Sequence, residues 1–120
     1  MVAHWHLFAD VQVGQPLLTC DRANAFLARV VATAGMTIIG GPYSVLGVVP
    51  GNEGVSSVVL LDLSSASVHE WPDHKPYALL HLDLYTCGAR PSEDAFTSLF
   101  KELDPRELHI RVLPRSEVMG

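Results

Sequence analysis

Cysteine is scarce in this chain: Cys20 and Cys87 are the only two in 120 residues. Two cysteines cannot build a disulfide framework or a four-ligand zinc site, and free thiols fit a reducing cytosol. Basic residues are also few. Eight Lys and Arg are scattered against thirteen Asp and Glu, a formal net charge of −5. That balance excludes a nucleic-acid binder; a cationic ligand is tolerated, while an anionic one finds no basic cluster. No apolar run approaches the roughly 20 residues of a membrane span. Met1–His6 has neither the basic region nor the apolar stretch of a signal peptide. The expectation is a cytoplasmic protein with no membrane partner. Charged residues make up only 18%, low for a monomer, so a homodimer or higher homo-oligomer is expected.

Hydrophobic residues, at 48%, are enough for a core. No linker or charge block divides the chain, so residues 1–120 read as a single domain. A chain of this length buries roughly two-thirds of its unfolded surface, so packing against a partner helps it.

His4–Val13 reads as a strand, with Trp5, Leu7, Ala9 and Val11 alternating. Asp21 is placed to cap a helix with Ala23, Phe26, Leu27, Val30 and Val31 on one face, stopped by Gly35. Met36–Ile39 and Ser44–Val49 read as short strands broken by Gly40-Gly41-Pro42. Val55–Leu63 reads as a deeply buried strand and Ser67–Glu70 as a short partner. Tyr77–Thr86 alternates, with Ala78, Leu80, Leu82 and Leu84 on one face. Ser92 caps a second helix, and Glu107–Leu113 closes the fold as a strand. The order β-α-β-β-β-β-α-β implies an α+β, two-layer sandwich: a mainly antiparallel sheet with two helices on one face.

The residues able to do chemistry are Ser64, Ser67, His69 and Cys87. Ser67 and His69 fall on one side of an extended segment. In a hairpin, serine, histidine and cysteine could converge, and contact with histidine is the usual way to activate such a nucleophile. Plain alternatives stand beside this: a lone histidine near a strand end, a serine-rich turn and a cysteine serving as a small hydrophobe. A Cys-His protease lacks an identifiable orienting Asn or Asp. Metal binding is not expected, because the histidines show no i, i+4 pair with a carboxylate.

The stretch from Gly54-Val55-Ser56-Ser57-Val58-Val59 through His69-Glu70-Trp71-Pro72-Asp73 to Thr86-Cys87-Gly88 resembles the prokaryotic S-adenosylmethionine (AdoMet) decarboxylase proenzymes. Their pattern reads Gly-Val-Ser-Gly-Val-Val, Glu-Ser-His, His-Thr-Trp-Pro-Glu and Phe-Thr-Cys-Gly. The similarity continues in the first strand, in Gly35-Met36-Thr37-Ile38-Ile39-Gly40, and in the second helix and last strand.

The resemblance implies self-cleavage at Leu63-Ser64, with Ser64 becoming a pyruvoyl group. That ketone forms a Schiff base with the substrate amine and acts as electron sink for loss of CO₂, feeding polyamine (spermidine) synthesis. It implies that Ser56 and His69 assist processing and that Cys87 is the general acid. It places Asp73 at the position of a ribose-binding glutamate, with Trp71 and Glu70 beside it in the substrate-binding segment. It implies a two-layer α/β sandwich that dimerises, and no metal.

The chain departs from the pattern at named places. Leu63 replaces Glu, Ser65 replaces His, and Glu70 replaces Thr. A short insertion surrounds His74-Lys75-Pro76, and Val48-Val49-Pro50 stands where the family has an adenine-stacking aromatic. These departures leave Ser65 as a second candidate processing residue and leave other functions open. One is an uncleaved lyase splitting AdoMet into methylthioadenosine and homoserine lactone. The others are an AdoMet sensor or interaction module, and a decarboxylase of ornithine or arginine.

Overall fold

The computed structural model describes residues 2–115. The elements run β1 (His4–Val13), α1 (Cys20–Thr33), β2 (Ile38–Gly47), β3 (Gly54–Leu61), β4 (Ser64–Trp71), β5 (Ala78–Cys87), α2 (Glu93–Phe100) and β6 (Pro105–Pro114). A short 3-10 turn, Lys101–Leu103, joins α2 to β6. The six strands form one sheet in the order β2-β3-β4-β5-β1-β6, and every neighbouring pair is antiparallel. This is the α+β sandwich expected from the element order.

Period-two alternation sorts the sheet into two faces. Leu7, Ala9 and Val11 of β1, Val55 and Val59 of β3, Ala66 and Val68 of β4, and Leu80, Leu82 and Leu84 of β5 are all buried. They meet Ala23, Phe26, Leu27 and Val30 of α1 and Phe96 and Phe100 of α2. Each such large side chain contributes about 1.5–3 kcal/mol on burial. α1 lies over β2, β3 and β4, and α2 packs on α1 and β6. The opposite face, which carries His6, Phe8, Val58, His69, His81 and Tyr85 by alternation, has no helix over it.

Local chemistry differs from the sequence reading in three places. Thr19, not Asp21, caps α1: it is extended at φ −120, and its Oγ1 accepts the Arg22 N–H at 3.1 Å. Asp21 sits in the first turn, where a carboxylate favours the helix dipole. β2 is one strand instead of two, because shifts in its pairing with β3 around Gly40 absorb the Gly40-Gly41-Pro42 break. The β3–β4 hairpin is tighter than expected: β3 ends at Leu61, Asp62-Leu63 turns, and β4 already begins at Ser64. At the far end of that hairpin only glycine fits at 54, since a Cβ there would run into the Glu70 carbonyl. Among the described residues no helix is long and apolar enough to cross a membrane.

Candidate active site

The hairpin turn places the Leu63-Ser64 bond at the surface. Leu63 is 84% exposed and holds φ 56, a left-handed conformation that costs a leucine about 1–2 kcal/mol. Ser64 points the other way and is buried. Its Oγ lies 3.7 Å from Cys87 Sγ. Gly88, the next residue, anchors Cys87: the Gly88 N–H donates to the Ala3 carbonyl at 2.8 Å, and the Trp5 indole donates to the Gly88 carbonyl at 3.0 Å. Gly88 takes φ 103, which glycine accepts freely. Ser64 and Cys87 are therefore brought together by the β4–β5 pairing and locked there by β1.

Ser56 and His69 form a second pair. They face each other across β3 and β4, and Ser56 Oγ lies 2.7 Å from His69 Nδ1. Both lie on the uncovered face. Five residues of extended β4 separate Ser64 from His69, about 16 Å at the strand rise. The expectation that one hairpin gathers serine, histidine and cysteine into a single cluster is thus corrected. The chain holds two dyads, Ser64–Cys87 and Ser56–His69, at opposite ends of β4.

Trp71 and Asp73 line a cleft of about 490 Å³ with Glu53, His74 and His81. The Trp71 indole N–H donates to Asn52 Oδ1 at 2.8 Å, and its ring meets His81 edge-on with centroids 4.9 Å apart. His81 in turn approaches Asp10 at 3.4 Å. Two carboxylates, Glu53 and Asp73, border this cleft, which suits a cationic or polyhydroxyl ligand. Glu53 and Asn52 lie in the Pro50–Gly54 stretch between β2 and β3, which carries no motif in the sequence. His81 carried a usable signal, since alternation already put it on the uncovered face.

Glu70 is elsewhere. It faces the helix layer at 1% exposure, its Oε2 accepting the Leu17 N–H at 2.7 Å and its Oε1 the Leu18 N–H at 2.9 Å. Both oxygens serve the backbone that leads into α1, so the structure places Glu70 apart from Trp71 and Asp73. Burial raises its pKa, opposed by those two hydrogen bonds and by the charge of Arg22. Ser65 and Ser67 alternate onto the uncovered face, away from the Ser64 side. Among the described residues, no three His, Cys, Asp or Glu side chains gather in a way that could hold a metal ion.

Comparison with known proteins identifies the family and the fold. A family model described as S-adenosylmethionine decarboxylase matches residues 5–116. A Thermoplasma volcanium protein named S-adenosylmethionine decarboxylase proenzyme is 42% identical over 69 residues, 57% of this chain and 51% of that protein. An Aeropyrum pernix protein named arginine decarboxylase proenzyme is 37% identical over 71 residues, 58% of this chain and 52% of that one. These matches thus span about half the length of each relative. The crystal structure of the adenosylmethionine decarboxylase from Aquifex aeolicus superposes with a TM-score of 0.71 at 26% identity, covering 95% of this chain and 91% of that one. With the family model spanning nearly all of its described residues and the same fold in a solved member, this chain belongs to the S-adenosylmethionine decarboxylase family.

Proposed function

We propose that the chain is a self-processing AdoMet decarboxylase that cleaves itself between Leu63 and Ser64. One observation carries the reading: the Ser64 hydroxyl begins β4 directly after an exposed, left-handed turn residue, with the Cys87 thiol 3.7 Å away. Ser64 Oγ adds to the Leu63 carbonyl carbon, the Leu63–Ser64 C–N bond breaks, and the hydroxyl proton passes to the freed amine, leaving an ester. Loss of the α-proton of residue 64 expels the Leu63 carboxylate and leaves a dehydroalanine. Water replaces its nitrogen, which departs as ammonia, and a pyruvoyl ketone caps residues 64–120. The backbone carbonyl carbon and not the Leu63 side chain is attacked, so leucine in place of glutamate does not block the step.

The residues around position 64 fit such a group. It is buried, and the Cys87 thiol stands beside it. A ketone at residue 64 would supply the electron sink for loss of CO₂ from the substrate. Cys87 returns a proton to the α-carbon. Asp73 holds the ribose hydroxyls in the Trp71 cleft, which lies beyond His69 on β4 and so serves residue 64 of a second copy. The acidic border of that cleft suits the sulfonium of AdoMet and also admits arginine as the alternative substrate.

His69 is about 16 Å from Ser64 along β4, too far to act there within one chain. The uncovered sheet face supplies the solution. It exposes Val58 and Leu60 at 38% and 51% beside Phe8 and Tyr85, a surface suited to a second copy. Two sheets packed face to face about a two-fold axis bring the Ser56–His69 dyad of one protomer to the β4–β5 end of the other, where Cys87 alternates onto the uncovered face beside Ser64. The enzyme is then a homodimer with two shared sites. The test is purified protein on a sizing column with light scattering, followed by assay of CO₂ release from carboxyl-labelled AdoMet. A monomer that processes normally contradicts the shared site.

A further inference from the structure

The uncovered sheet face gathers histidines. By alternation and register His4 and His6 of β1, His69 of β4, His81 of β5 and His109 of β6 all lie on it. Carboxylates engage three of them. His6 pairs with Asp83 at 3.1 Å, His81 with Asp10 at 3.4 Å and His109 with Glu107 at 3.0 Å. The other two rest on hydroxyls: His69 on Ser56, and His4 on Tyr85, whose hydroxyl lies 2.9 Å from His4 Nδ1. A hydroxyl on one ring nitrogen orients the imidazole and leaves the other nitrogen to act.

His4 stands directly across from Cys87 in the β1–β5 register. Opposed residues on one face of an antiparallel pair hold their Cβ atoms about 4.5–5.5 Å apart. Contact, or proton transfer through one bridging water, is within that reach. The position of His4 is fixed from several sides. The Gly88 N–H donates to the Ala3 carbonyl and the Arg115 N–H to the His4 carbonyl, both at 2.8 Å. The His4 and Tyr85 rings stack with centroids 5.9 Å apart, and the Arg115 guanidinium lies 5.3 Å from the Tyr85 ring centre. With Nδ1 engaged by Tyr85, Nε2 is the nitrogen left for Cys87. His4 and Cys87 are both only partly buried, so solvent reaches the pair.

We propose that His4 is a positioning residue that acts through Cys87 and restores its proton between turnovers. The inference rests on the reading of Cys87 as general acid and adds the group that resets it. The Cys87 S–H bond breaks as its proton passes to the substrate α-carbon, leaving a thiolate. The His4 imidazolium then gives its Nε2 proton to that thiolate, so the N–H bond breaks and the S–H bond re-forms. The neutral ring keeps its Nδ1–H on the Tyr85 oxygen. Nε2 takes its next proton from solvent, the source of the one proton that decarboxylation consumes.

The test first reads the pair without turnover. In full-length Ser64→Ala chains, alkylation by iodoacetamide at neutral pH is followed by peptide mass spectrometry, with Cys20 of the same molecule as reference. The thiolate is the form that reacts, and an imidazolium is the neighbour that supports it. His4→Gln is expected to slow alkylation of Cys87 about tenfold, the effect of one hydrogen bond to a charged group, and to leave Cys20 unchanged. In the processing chain, His4→Gln is expected to lower kcat about tenfold with KM within twofold. That is less than loss of a direct general acid, because water can also return the proton. Added imidazole is expected to recover kcat in His4→Ala, which a merely structural role would not allow. Tyr85→Phe frees the His4 ring and is expected to lower kcat about threefold, as for one neutral hydrogen bond; should the His4 variants fail to fold, this variant carries the comparison. Unchanged Cys87 alkylation, unchanged kcat, or a kcat loss that imidazole does not recover overturns the proposal. Slowed alkylation in a protein that releases no CO₂ supports the His4–Cys87 pair and removes the decarboxylase reading instead.

Discussion

Replacing Glu70 tests how the fold holds β4 in place beside the site. Its two carboxylate oxygens accept the Leu17 and Leu18 N–H groups at 2.7 and 2.9 Å, with Leu18 held at φ 71. Glu70→Ala leaves the buried Leu17 N–H without a partner, while that of Leu18, an exposed residue, can turn to water. One buried orphan donor plus the lost charged hydrogen bond is about 2–3 kcal/mol. For a domain of this size that is a drop in melting temperature of roughly 8–12 °C. Glu70→Gln keeps one acceptor and loses about 1 kcal/mol.

The pH dependence has a definite sign. Burial holds the folded-state pKa above the ordinary 4.5, so the folded chain binds this proton more tightly than the unfolded one. The stability that Glu70 adds is therefore largest at and below pH 4.5 and declines as pH rises through the raised value. The deficit of Glu70→Gln is expected to shrink over that interval. Thermal melts followed by circular dichroism across the pH range, in a Ser64→Ala background to keep every chain uncleaved, measure both effects. A Glu70→Ala shift below about 2 °C, or a Gln deficit that grows with pH, refutes the reasoning.

Three further outcomes are expected. In the same Ser64→Ala background, Leu63→Gly relieves the left-handed φ 56 and raises stability by about 1 kcal/mol, visible as a higher melting temperature; no rise counts against strain in that turn. Co-expression of Ser64→Ala chains with His69→Ala chains is expected to restore cleavage of the His69→Ala chain, because an intact His69 arrives from the partner. Fragments absent from the mixture but present in wild type place both dyads' work within one chain. Asp73→Asn is expected to raise KM for AdoMet about tenfold with kcat within twofold, as for a lost charged hydrogen bond in the ground state; a fall in kcat alone sinks the ribose-binding role.

Much of the fold was legible because periodicity is local. Alternation from Ala78 to Leu84 marked the central strand, and Ser92 announced its helix. The Asp21 cap was misplaced because Thr19 and Asp21 both suit a helix start, and only the extended backbone at Thr19 decides between them. β2 read as two strands because a bulge cannot be told from a break without its partner β3. The chemistry was legible as residue types and not as geometry. Residues on β4 share a segment in sequence, yet a strand rises about 3.3 Å per residue and spreads them apart. That is why Ser64 and His69 fell into different dyads. Glu70 sits between His69 and Trp71 in sequence, and the pleat alone turns it to the opposite face.

Intact mass spectrometry of the purified wild-type protein tests the central claim most directly. Two chains are expected, residues 1–63 and residues 64–120, the second carrying a ketone in place of its amino terminus, with Ser64→Ala staying whole. A wild-type protein of one uncleaved mass that still releases CO₂ from AdoMet contradicts it.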